Sequence, residues 1–166
     1  MIIYKDAVSR DELFSDGFPV EELPALYSVT ARTVVKDLAA GVDIGATGDG
    51  EPEEAGESET VEVINLVDLH RLRETSLDRR GFAGHLKRYF EAVEDRLEAN
   101  APDQVAAFRK DGQEAAEAIV GDFDSYTFYQ GESRTEKGMV IMARPAGDDD
   151  TWTFTFWKHG THAEKC

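Results

Sequence analysis

An α+β fold is what this 166-residue sequence predicts, and three observations predict it. Strand-like alternation fills both ends of the chain. The apolar spacing changes to a helical one between about 77 and 121. A segment between 38 and 59 is rich in glycine and acid and offers almost nothing to bury. The length fits one domain, 1–166, large enough for a single core.

The first strand-like run is "IIYKD", followed by a turn at "DGFP", 16–19. In "LYSVTARTVV" the residues Tyr27, Val29, Ala31, Thr33 and Val35 share one face, and the β-branched types suit a pleated sheet. The segment 38–59 then reads as a long, flexible acidic surface loop. "TVEVINLVDLHRL", 60–72, reads as a return to strand. Val61, Val63, Asn65, Val67 and Leu69 fall on one face, Glu62, Ile64, Leu66 and Asp68 on the other. Apolar residues on both faces predict partial cover on each side.

Phe82, Leu86, Tyr89, Val93 and Leu97 then recur at spacings of four, three, four and four, which puts them on one face of a helix, with Phe90 widening the stripe. Asp78 or Ser76 is positioned to cap it. "NAP", 100–102, ends it, and Pro102 suits the start of a second helix over roughly 102–120 that carries Val105, Phe108, Ala115 or Ala116, and Ile119. So short a connection makes the pair an antiparallel hairpin.

Three strand-like runs close the chain: "SYTFYQ", "MVIMAR" and "TWTFTFWKH". In the last, Trp152, Phe154 and Phe156 alternate with Thr151, Thr153 and Thr155. Between the first two lies a polar segment with Gly131, Glu132 and Gly138. Near Glu132 no His, Cys or Lys makes an obvious catalytic pair, so the segment reads as a hairpin loop whose glycines supply positive φ. Asp148, Asp149 and Asp150 read as a solvated turn.

Composition narrows the function. The chain has 34 acidic and 18 basic side chains and a formal charge of -16, which repels nucleic acid and anionic membrane. No apolar run approaches the roughly 18 residues of a membrane span, and the N-terminus reaches charge too early for a signal peptide. Cys166 is the only cysteine, so no internal disulfide and no thiolate cluster can form, in keeping with a cytoplasmic protein. His159-x-x-His162 ahead of Cys166 has a faint metal-ligand spacing, but it sits at what reads as a frayed terminus and falls short of a four-ligand zinc site. No phosphate-binding GxxxxGK[ST] loop exists.

Two charge features remain. An EF-hand register from Asp43 fails because Gly45 and Thr47 stand where oxygen donors are needed. Glu51, Glu53, Glu54 and Glu57, with Glu59, still form a carboxylate cluster that suits weakly bound calcium, so no cofactor is required and calcium is the one ion expected. Residues 71–110 hold nine of the 18 basic side chains against seven acids, so the helical hairpin is where an acidic partner would not be repelled.

Taken together, "MIIYKD" with "DELFSD", the stretch "FDSYTFYQGESRTEKGMV" and the terminal Glu164-Lys165-Cys166 resemble the translationally controlled tumour protein family across nearly the whole chain. The sequence departs from the family pattern at Thr47 and Asp49 in the acidic loop and at Lys137 before Gly138. The resemblance implies a β-tent (Mss4-like) core, with the helical hairpin and the acidic loop as insertions. It implies a non-enzymatic, cytoplasmic binding protein that binds calcium, stabilises microtubules, promotes growth through a small Ras-type or Rab-type GTPase and makes anti-apoptotic contacts with Bcl-type proteins. By position it implies Glu12 as the GTPase-facing acid, the hairpin as the tubulin contact, and Cys166 as the thiol of a homodimer. Arg79, Arg80, Lys87 and Arg88 are the hairpin side chains able to meet acidic tubulin tails. The alternative to the calcium and microtubule reading is a nucleotide-release factor or chaperone for that GTPase.

Overall fold

A computed structural model describes residues 1–38 and 59–166. Strands β1 (Ile2–Asp6), β2 (Glu12–Ser15), β3 (Val20–Glu22) and β4 (Leu26–Asp37) lead to β5 (Thr60–Ile64), helix α1 (Asn65–His70) and β6 (Arg73–Thr75). The helical hairpin follows as α2 (Arg79–Asn100) and α3 (Val105–Gly121), and β7 (Thr127–Gln130), β8 (Ile141–Pro145), β9 (Thr151–Trp157) and β10 (Thr161–Lys165) complete the chain.

All pairing among the described residues is antiparallel. One sheet has the order β10-β1-β2, and the other runs β3-β4-β9-β8-β7-β6 with β5 added to β4. The sheets meet through aromatic rings: Phe14 of β2 reaches Phe156 of β9 at 4.5 Å, and Tyr4 of β1 meets Tyr27 of β4 edge-on at 5.3 Å. On the helical side Phe82 packs on Phe128 at 4.7 Å and Phe90 meets Trp157 edge-on at 4.9 Å. Burial of rings such as Phe82 is worth about 1.5–3 kcal/mol each and fixes the hairpin to the sheets.

The period-3.6 stripe behaves as expected: Phe82, Leu86, Tyr89, Val93 and Leu97 are all buried. Asp78 caps α2 by accepting from the Gly81 N–H at 2.7 Å. The second helix differs slightly from expectation, since Pro102–Gln104 form a 3₁₀ turn and the α-helix begins at Val105.

Three expectations need correction. The strand expected over 60–72 stops at Ile64 and becomes α1. The next N–H along β4, that of Arg32, is taken by the Asn65 side chain at 3.0 Å, which ends the β4–β5 ladder. Leu66 and His70, four residues apart, then bury on one helical face while Leu69 stays 63% exposed. A strand would have put Asp68 on that same face, whereas Asp68 is exposed. The frayed C-terminus is also overturned, because Thr161–Lys165 pairs residue for residue with β1, from Ile2↔Lys165 to Asp6↔Thr161.

The loop between β7 and β8 is the hairpin connection expected, but its glycines are there for another reason. Neither Gly131 nor Gly138 has positive φ; Arg134 does, at 56°. A Cβ on Gly131 would lie 2.5 Å from Asp11 Cβ, and one on Gly138 would lie 3.0 Å from Asp6 Oδ2. These glycines admit the turn that follows β1, not a left-handed backbone.

Candidate binding surfaces

Asp6, at the end of β1, is only 2% exposed and accepts four hydrogen bonds. Oδ1 takes the Val8 N–H at 3.0 Å and the Tyr89 hydroxyl at 2.8 Å; Oδ2 takes the Ser9 hydroxyl at 2.8 Å and the Met139 N–H at 2.7 Å. A buried carboxylate needs this degree of solvation by donors. Tyr89 also faces the Gly160 carbonyl at 3.3 Å, and a Cβ on Gly160 would collide with its hydroxyl. Burial first, then the charge and hydrogen bond of Asp6, push the Tyr89 phenol far above its ordinary range, so it serves as a donor. The knot ties β1, α2, the 131–140 loop and the approach to β10 into one rigid platform.

One surface forms where β2, α1 and that loop meet. The Glu12 side chain is half exposed, and its Oε1 lies 3.2 Å from Nδ1 of the buried His70. Next in the chain Arg71, at a left-handed φ of 58°, pairs with Glu132 at 3.5 Å. Asp11 receives the Ser133 hydroxyl at 2.6 Å on the same loop. Glu12 and Glu132, 120 residues apart in sequence, are thus held on neighbouring residues of one helix end. His70, Arg71 and Asp11 were missed by sequence reading. Nothing local could have found them, because their partners lie 58, 61 and 122 residues away.

A second surface is the outer face of α2. Arg79, Arg80, Lys87 and Arg88 are all exposed, and no acid occurs between 79 and 90. Among the described residues none of the four is paired with a carboxylate, although the Arg79 guanidinium lies 5.7 Å over the Phe123 ring. Acids occupy the C-terminal half, where Glu94 binds Arg109 of α3 at 3.1 Å. Two arginines in the first turn oppose the helix dipole, which favours acids there.

The remaining sequence candidates are dispersed. Glu51, Glu53, Glu54 and Glu57 lie outside the described residues, as does nearly all of the acidic loop. Cys166 is exposed at the end of β10, and its N–H donates to the Met1 carbonyl at 2.9 Å. His159 sits in a 3₁₀ turn, its imidazole pushed down by burial and then by Lys158, while His162 on β10 faces Glu164 at 3.8 Å. Among the described residues no three His, Cys, Asp or Glu side chains converge on a metal position. The described helices include none long and apolar enough to cross a membrane.

The family model for translationally controlled tumour protein matches residues 1–162. The chain belongs to that family. It is 35% identical over 166 residues to the translationally-controlled tumor protein homolog of Yarrowia lipolytica, covering 99% of each chain. To the Xenopus tropicalis homolog it is 34% identical over 173 residues, with full coverage of both. The fold is shared with the translationally controlled tumor-associated protein p23fyp of Schizosaccharomyces pombe, at a TM-score of 0.84, 34% identity and full coverage of both chains. The Caenorhabditis elegans family member matches at a TM-score of 0.66 and 27% identity over 100% of this chain and 99% of that one. The α+β architecture read from the sequence is therefore that of solved family members.

Proposed function

We propose that this protein is a non-enzymatic cytoplasmic binding protein that stabilises microtubules by setting the basic outer face of α2 against acidic tubulin tails. The observation that carries the reading is Arg79, Arg80, Lys87 and Arg88 standing exposed and unpaired with any described carboxylate on a chain of charge -16. Spending helix stability on cations at the wrong end of a dipole makes sense where a partner neutralises them. Weak calcium binding by Glu51, Glu53, Glu54 and Glu57 and dimerisation through the exposed Cys166 belong to the same reading. So do contacts with Bcl-type proteins.

Cosedimentation with microtubules over rising salt tests it. Binding should weaken steadily with salt, and reversing all four cations to Glu should lower affinity at least about tenfold. Salt-independent binding, or a reversed variant that still pellets, would refute the electrostatic contact.

A second reading is favoured by the Glu12 surface: the protein docks a small Ras-type or Rab-type GTPase and promotes nucleotide release. Glu12 is exposed yet oriented by His70, as a docking carboxylate should be. Release of fluorescent GDP should quicken with the native chain and not with Glu12→Ala. No acceleration at high excess would remove this reading.

A further inference from the structure

A recess of about 170 Å³ lies between β1, the turn after it, α2 and β10. None of the proposed contacts uses it. Four basic side chains from four separate elements line it: Lys5, Arg10, Arg96 and His162. The topology assembles them, since Lys5 and His162 are cross-strand partners in the β1–β10 ladder.

Two carboxylates share the recess, and both are engaged. Asp6 is saturated by its four donors. Glu164 holds Lys5 at 3.1 Å and faces His162 at 3.8 Å. Arg10 and Arg96 have no carboxylate within ion-pair distance among the described residues. On so acidic a chain, two unneutralised guanidiniums in one recess are not what counter-charge economy produces.

Arg10 adds an independent sign. Its φ is 73°, a left-handed conformation that Asn or Gly adopts at less cost than Arg. The turn requires that backbone, since the Arg10 N–H donates to the Asp6 carbonyl at 2.8 Å and the Asp6 N–H to the Asp11 carbonyl at 2.8 Å. A long cationic side chain on a strained position marks a place where the side chain matters more than the turn.

We propose that this recess is a binding site for a small phosphate-bearing molecule, gripped by Arg10 and Arg96 with Lys5 and His162 at its edge. Guanidinium forks match pairs of phosphate oxygens. A phosphate group has enough oxygens to serve both forks and an ammonium at once, which a carboxylate has not. Arg96 also lines the neighbouring recess of about 690 Å³, where Tyr4 and Tyr27 supply aromatic faces. An organic group attached to the phosphate has room to extend there.

The test is an amide NMR titration of the full chain at constant ionic strength, with inorganic phosphate in one arm and adenosine monophosphate in the other. Saturable shifts are expected at Ala7, Arg10 and His162, and Arg96→Ala should weaken binding about tenfold or more. Shifts reaching Tyr4 and Tyr27 only with the nucleotide would assign a phosphoester; equal behaviour in both arms would assign free phosphate. Arg10→Asn should weaken binding similarly while raising Tm, because Asn accepts the left-handed turn. Shifts that never saturate in either arm, or affinity unchanged in Arg96→Ala, overturn the site. The spectrum of each variant reports its folding directly.

Discussion

The two faces of α2 obey opposite rules. Its inner face carries Phe82, His85, Leu86, Tyr89, Val93 and Leu97, all buried, and the Tyr89 hydroxyl is bonded to the Asp6 carboxylate. Its outer face begins with four cations that no described carboxylate pairs and ends in acids, of which Glu94 is tied to α3. The difference separates stability from the recognition proposed above within one helix. Inner polar groups are costly to disturb because water cannot replace a lost partner, whereas outer charges lose little when removed because water can.

The largest effect expected is on the inner face. Asp6→Ala would leave the Ser9 hydroxyl and the Val8 and Met139 N–H groups without this acceptor, and the Tyr89 hydroxyl with only the Gly160 carbonyl at 3.3 Å. At about 1–3 kcal/mol for a buried donor left unsatisfied, a loss of about 3 kcal/mol or more is expected even if water reaches some of them. Urea unfolding measures it. A loss below about 1 kcal/mol would mean that the platform is held by apolar packing alone.

That platform was only partly legible in the sequence. The helical hairpin could be read because its stripe is local: five apolar residues at spacings of four and three need no distant partner to declare a helix. Tyr89 belongs to that stripe by its spacing, but its hydroxyl partner is 83 residues away, and no periodicity encodes such a pairing. β10 is not legible because "THAEK" offers only Ala163 as an apolar residue; its strand state comes from the open edge of β1. α1 is not legible because the spacing of four from Leu66 to His70 fits a strand as well as a helix, and the switch at Ile64 comes with the Asn65 side chain capturing a backbone group of β4. Charge segregation marks the basic stretch 71–110 from the sequence, and the resemblance to the family narrows it to the four cations of α2. The Glu12 surface and the recess around Arg10 and Arg96 needed the topology.

A second effect, also on the inner face, depends on pH. Burial first, and Arg88 second, hold the His85 imidazole down from 6.5 to about 4. The unfolded chain therefore binds a proton in that window that the folded chain refuses. Stability from this group is complete above pH 6.5 and drains away as pH falls toward 4, by up to roughly 3 kcal/mol. His159, also pushed down by burial, adds a smaller slope of the same sign. His85→Leu should flatten the fall in urea-unfolding stability between these limits. Equal slopes in the two proteins would show that the imidazole finds solvent in the folded state.

The smallest effect is expected on the outer face, and its sign is the informative part. Arg80→Glu replaces a cation in the first turn of α2 with an acid, where the exposed N–H groups favour negative charge by about 0.3–1 kcal/mol at a surface site. No described carboxylate loses a partner in the exchange. Tm should therefore rise slightly while microtubule affinity falls, a combination that a merely structural arginine cannot give. If Tm falls instead, Arg80 is holding the hairpin in place, and the outer face is then part of the scaffold and not free to serve a partner.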